Sequence, residues 1–125
     1  MPSYRKIEAA DDQKIAEIIR ANSAKLGLSV PGTAYFAQEL DHLSAYYQAD
    51  PARRAYFVAL DEDGQMIGGV GIAEFAGIEN CAELQKLYLD DRAKGRGYGK
   101  KLMRIAEDQA RAAGYENYTL KRTRV

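Results

Sequence analysis

Between Ala82 and Ala113 the apolar residues change period. Ala82, Leu84, Leu87 and Leu89 follow the short spacing of a strand, with a change of phase after Leu84, whereas Leu102, Ile105, Ala106 and Ala113 keep helical spacing. Between the two patterns lies "KGRGYGKKLM", Lys94 to Met103, with glycine at 95, 97 and 99. A strand that passes through a glycine loop into a helix commits the chain to a layered fold of helices on a sheet. The phase change within the strand predicts a bulge.

The rest of the chain supplies the other layers. "SYRKIEAA" reads as a first strand, about Ser3 to Glu8, and Asp11 or Asp12 is placed to cap the helix after it. Ile15, Ile18 and Ile19 form that helix's apolar face, which ends near Gly27. "SVPG" interrupts the chain, and Thr33 can cap a second helix carrying Phe36, Leu40, Leu43 and Tyr47 and stopping before Pro51. "RAYFVAL", the turn "DEDG" and "QMIGGVGIAEF" predict a hairpin, and "AGIEN" leads into "CAELQKLYL". Gly114 suits a left-handed helix end before a last strand, "YENYTL". The order β-α-α-β-β-β-α-β is that of an α/β or α+β layer fold, and its longest helix joins two strands expected to be parallel.

At 125 residues, 46% hydrophobic and 29% charged, the chain is the size of one domain. No apolar run approaches the roughly 18 residues of a membrane span, the N-terminus has no apolar segment of signal length, and one cysteine, Cys81, cannot form an internal disulfide. A cytoplasmic location without membrane partners is therefore expected. The net charge of zero argues against general nucleic-acid binding. It also hides an asymmetry: residues 1–85 carry seven Lys/Arg against 13 Asp/Glu, and residues 86–125 carry 11 against five. A basic segment around a glycine loop suits an anionic ligand, although solvated faces alone give the same asymmetry.

The glycines narrow that ligand. Gly95, Gly97 and Gly99 permit backbone angles closed to other residues and a close approach to main-chain N–H groups, and the helix start adds unpaired donors and a positive dipole end. A P-loop needs Ser or Thr where Lys101 stands, and a dinucleotide fingerprint needs a glycine where Lys100 stands. Both fail. Lys94-Gly95-Arg96-Gly97-Tyr98-Gly99 instead resembles the Gln/Arg-x-x-Gly-x-Gly/Ala signature of the GNAT N-acetyltransferase superfamily. "AELQKLYLDDRAKGRGYGKKLM" is similar to that family's fourth strand, loop and third helix, and the element order matches from its first strand to its fifth.

The resemblance implies a mixed central sheet with helices on both faces, acetyl-coenzyme A as co-substrate and a small-molecule or peptide amine as acceptor. The main chain at Leu87, Tyr88 and Leu89 would pair with the pantetheine arm. Lys94, Gly95, Arg96, Gly97, Tyr98, Gly99 and Lys100 would hold the pyrophosphate. Some relatives carry a general base 11 residues before the first signature position, which here is Glu83; Glu74 is a weaker candidate. The resemblance implies no metal. His42 and Cys81 read as structural residues, and Tyr35, Phe36, Tyr46 and Tyr47 as helix core, of which one or two line the acceptor site.

Two signature departures are Lys94 for Gln or Arg, and Asp91 where proline is common. A larger one is that the family continues past its fifth strand with a helix and two strands, which commonly supply a tyrosine as general acid, whereas "LKRTRV" stops; Tyr115 and Tyr118 lie too early for that role. A shortened domain of this kind is expected to pair as a homodimer or to be a weak enzyme. A non-catalytic acyl-coenzyme A binding or interaction module, or a fragment of a longer acetyltransferase, are the alternatives.

Overall fold

The computed structural model describes residues 2–25, 38–75 and 79–120. Its elements are β1 (Ser3–Lys6), α1 (Asp12–Lys25), α2 (Leu43–Gln48), β2 (Ala55–Leu60), β3 (Met66–Glu74), β4 (Cys81–Leu89), α3 (Tyr98–Ala112) and β5 (Asn117–Leu120). The five strands lie in sequence order in one sheet, antiparallel from β1 to β4, with β5 parallel to β4. The expected order and the parallel crossover through α3 are present. The predicted cap at Thr33, the apolar Phe36 and the lining residue Tyr35 lie outside the described residues.

Alternation along the strands sorts the core into two layers. Tyr56 and Val58 of β2 face α1 and α2, where Ile15, Ile18, Ile19, Leu43 and Tyr47 are buried. Ala55 and Ala59 point the other way, into the layer that Leu102, Ala106 and Ala110 of α3 close against Val70, Ile72 and Leu84. The sheet is thus covered on both faces, which lets β3 be almost continuously buried.

Local chemistry sets the element ends. β1 stops two residues earlier than the sequence pattern predicts, because Glu8 begins a 3₁₀ turn, Ala9–Asp11. Of the two candidate caps, Asp11 closes a capping box by accepting from the Glu8 N–H at 2.8 Å. Asp12 accepts instead from Ser44, through N–H at 2.8 Å and Oγ at 2.7 Å, and so ties α1 to the start of α2. The second helix is also not continuous: Gln38–His42 is 3₁₀ and only Leu43–Gln48 is α. Leu40 and Leu43 stand three apart, a spacing that serves both helix types, so the apolar pattern could not separate them. His42, at the junction, is exposed, and Cys81 is buried.

The hairpin turn forms as expected. Asp61 Oδ1 accepts from the N–H groups of Asp63 and Gln65, each at 2.9 Å, and Gly64 takes φ +79°. α3 ends at Gly114, φ +90°, where Tyr115 N–H donates back to Ala110 O at 3.1 Å, a Schellman closure.

Candidate functional site

The phase change in β4 is a bulge. Gly71 pairs with Gln85 and Gly69 with Tyr88, so Lys86 and Leu87 together oppose Val70. Lys86 takes φ +51° there. The extra residue moves Leu87 and Leu89 onto the α3 side, where Leu84 also packs, and leaves Tyr88 with the α1/α2 layer.

The bulge also decides where main-chain groups point. Asp90 N–H donates to Ile67 O at 2.7 Å, so in the two-residue pleat Asp90 and Tyr88 address β3. In agreement, the Tyr88 carbonyl oxygen lies 2.3 Å from where a Cβ on Gly68 would stand. Leu87 and Leu89 therefore turn their main chain to the other edge. Among the described residues β5 pairs with β4 only from Cys81 to Leu84, so among those residues the edge is open beyond that point. The expected backbone triplet narrows to Leu87 and Leu89, and the Leu89 carbonyl already accepts from Asn22 Nδ2 of α1 at 2.9 Å.

From the end of β4 the chain enters the glycine loop. Asp90 caps a 3₁₀ turn, Asp91–Ala93, by accepting from Arg92 N–H at 3.0 Å, and buried Ala93 anchors the turn on the sheet. Gly95 and Gly97 then take φ +80° and +85°, and a Cβ built on either meets nothing within 4 Å. Their role is conformational, and the space in front of them is open. Gly97 is the N-cap of α3, with Lys101 N–H bonding back to Gly97 O at 3.2 Å. The N–H groups of Tyr98, Gly99 and Lys100 thus have no partner within the helix, and its first turn holds no acidic residue. At Gly99 an added Cβ would meet only Leu89 Cδ1, at 3.5 Å.

Charge around the loop is uneven. The Lys94 ammonium pairs with Asp91 at 3.2 Å, so Lys94 brings mainly its backbone to the loop. Arg96 and Lys100 are exposed, and a cavity of about 310 Å³ beside the loop is lined by Asp61, Ile67, Arg92, Ala93, Arg96 and Tyr98. Left-handed glycines, a helix start without acid and neighbouring arginines fit a diphosphate-bearing ligand.

Upstream of the bulge, Glu83 and Gln85 face the α1/α2 layer. Glu83 is 7% exposed, and its Oε1 accepts from Gln85 Nε2 at 2.5 Å. Gln85 Oε1 accepts in turn from the hydroxyl of Tyr47 at 2.8 Å. Glu74, the weaker candidate base, sits elsewhere. Arg54 grips both its oxygens, through Nε at 2.9 and 3.1 Å and again through Nη2, and these bonds hold its carboxyl below the usual range. The same guanidinium lies over the Tyr46 ring, 4.4 Å from its centre. Glu74 is thus held as the ion-pair partner of Arg54.

Gln85, Tyr56 and Asn22 were not singled out by sequence reasoning. One signal was available: Gly69 and Gly71, two apart in a central strand, mark a place where something large approaches the backbone. What approaches are the rings of Tyr56 and Tyr47.

An antiparallel sheet with one parallel strand added, opened beside a glycine loop at a helix start, defines the class as the N-acetyltransferase fold. The family described as "Acetyltransferase (GNAT) family" matches residues 27–124, and the chain belongs to it. It is 36% identical, over 98% of its own length and 72% of the other's, to an Escherichia coli K12 protein named "Uncharacterized N-acetyltransferase YjgM". In fold it is similar to a GNAT-family acetyltransferase from Staphylococcus aureus Mu50, with TM-score 0.81, 13% identity and coverage of 98% of this chain and 73% of that one. It is also similar in fold to a Clostridium acetobutylicum protein, described as a predicted acetyltransferase with acetyl-CoA; the TM-score is 0.73, identity 16% and coverage 99% and 82%.

Proposed function

We propose that the chain transfers an acetyl group from acetyl-coenzyme A to a primary amine by direct attack. The observation that carries this reading is the continuity of the open β4 edge at Leu87 and Leu89 with the loop of Gly95 and Gly97 and the donor-rich start of α3. An acyl-coenzyme A has the matching order of parts: a thioester, an amide-bearing arm and a pyrophosphate. When bound, it supplies the activated acetyl group.

The chain's own residues bind and orient. The main chain of Leu87 and Leu89 would pair with the arm, and the N–H groups around Gly97, with Arg96, would hold the pyrophosphate. Leu87 N–H, on the open edge, is suited to stabilise charge that develops on the acyl oxygen. Glu83 would take the proton that an amine must lose to attack, directly or through a water. In the balanced step an N–C bond forms, the C–S bond breaks and coenzyme A leaves as the thiolate. The acceptor class extends from small amines to peptide amines.

Calorimetric titration with acetyl-coenzyme A tests the reading, comparing the parent with Gly97→Glu. The variant combines φ +85° strain with a carboxylate at the helix start, and at least a tenfold weaker Kd is expected. Equal binding by both, or binding by neither, removes the cradle from this loop.

A further inference from the structure

The bulge in β4 places Lys86 at φ +51°, a conformation that L side chains rarely adopt, so the surrounding structure must hold it. A side chain from two strands away reaches it: Tyr56 of β2 donates its hydroxyl to the Lys86 carbonyl at 2.9 Å. We propose that Tyr56 is a positioning residue for acetyl transfer, whose hydroxyl latches the bulge and so fixes how the Leu87 main chain faces the open edge. The inference rests on the reading of that edge as the acyl-coenzyme A site.

The path of the ring is built into β3. A Cβ on Gly69 would stand 2.4 Å from Tyr56 Cε1 and 2.9 Å from its hydroxyl, and one on Gly71 would stand 2.7 Å from Cδ2. The two glycines thus leave the channel through which the ring crosses β3. Tyr47 packs against it, with ring centres 5.2 Å apart, and Tyr56 is only 1% exposed. Phenylalanine would fill almost the same volume. What the hydroxyl adds is a donor for the Lys86 carbonyl at the bulge. Because the bulge sets the parity of everything after it, the donor acts on Leu87 and Leu89 although it touches neither.

Tyr56→Phe tests the latch. The expected result is a variant that still unfolds cooperatively, binds acetyl-coenzyme A about tenfold more weakly by calorimetry, and exchanges amide hydrogens faster at residues 86–88 than in β1 or α3. Adding Lys86→Gly, which takes a positive φ freely, should recover most of the lost affinity. Unchanged affinity and unchanged exchange at 86–88, or faster exchange spread evenly over the chain, overturns the latch. If Tyr56→Phe does not fold, Tyr56→Phe/Lys86→Gly decides: recovered folding and binding supports the latch, and continued failure overturns it. A parent that binds no acetyl-coenzyme A sinks the functional reading instead, while the local exchange pattern still reports on the latch.

Discussion

Gln85 stands between two buried groups, donating from Nε2 to Glu83 at 2.5 Å and accepting at Oε1 from the Tyr47 hydroxyl at 2.8 Å. Burial pushes the Tyr47 hydroxyl well above its ordinary pKa, so it keeps the proton that it donates to Gln85. With the Gln85 oxygen accepting that proton, the amide turns its nitrogen toward Glu83. An amide does not readily pass a proton along, so Tyr47 orients Glu83 through Gln85 and does not exchange protons with it. If Glu83 is the base, Glu83→Gln should lower kcat about 100-fold while the Kd for acetyl-coenzyme A holds. Steady-state rates with an active amine, paired with calorimetry, check this; an unchanged rate across pH removes Glu83 from the mechanism.

Glu74 provides the contrast. Its carboxylate is occupied by Arg54 and stays ionised as an ion-pair partner. Glu74→Gln should therefore leave kcat within about twofold and cost up to about 1 kcal/mol of stability, because the pair is part-exposed. Parallel rates for the two Glu→Gln variants separate a base from a structural carboxylate.

The glycines of β3 predict a graded series. At Gly71 a Cβ would stand 2.5 Å from the Tyr47 hydroxyl and 2.7 Å from Tyr56 Cδ2, so side chains and not main chain would have to move. At Gly68 it would meet the Tyr88 main-chain oxygen at 2.3 Å, which cannot move without parting the ladder. Gly71→Ala should cost about 1–3 kcal/mol and Gly68→Ala more. Denaturant midpoints measured on both variants give the order directly.

What the sequence disclosed follows from distance along the chain. The bulge was legible because Leu84, Leu87 and Leu89 lie within six residues, where a lost step in a period of two is visible. The loop was legible because left-handed turns demand glycine and Gly95 and Gly97 stand together. The break between Gln38–His42 and Leu43–Gln48 was not, since three-residue spacing fits both helix types. Neither were the bonds from Tyr47 to Gln85 and from Tyr56 to Lys86. Those partners are 38 and 30 residues apart, and only the folded sheet brings them together.

The Arg5–Asp11 pair gives stability a pH dependence whose sign can be worked out. Arg5 donates to Asp11 through Nη1 at 2.7 Å and Nη2 at 2.9 Å, and these bonds, helped by the Glu8 N–H, hold the Asp11 carboxyl below its usual range despite partial burial. A carboxyl depressed in the folded state contributes stability above its unfolded pKa, about 3.9, and loses it as pH falls through the folded value. Asp11→Asn keeps an acceptor for Glu8 but removes the charge. With Arg5 39% exposed, the loss at pH 7 should be about 1 kcal/mol, or a Tm lower by roughly 2–6 °C. The gap between parent and variant should then narrow from pH 5 downward and close once the parent's carboxyl is protonated. Thermal melts of both proteins between pH 7 and pH 2.5 measure it. A gap that stays constant over that range would assign the loss to packing at the start of α1 and not to the charge.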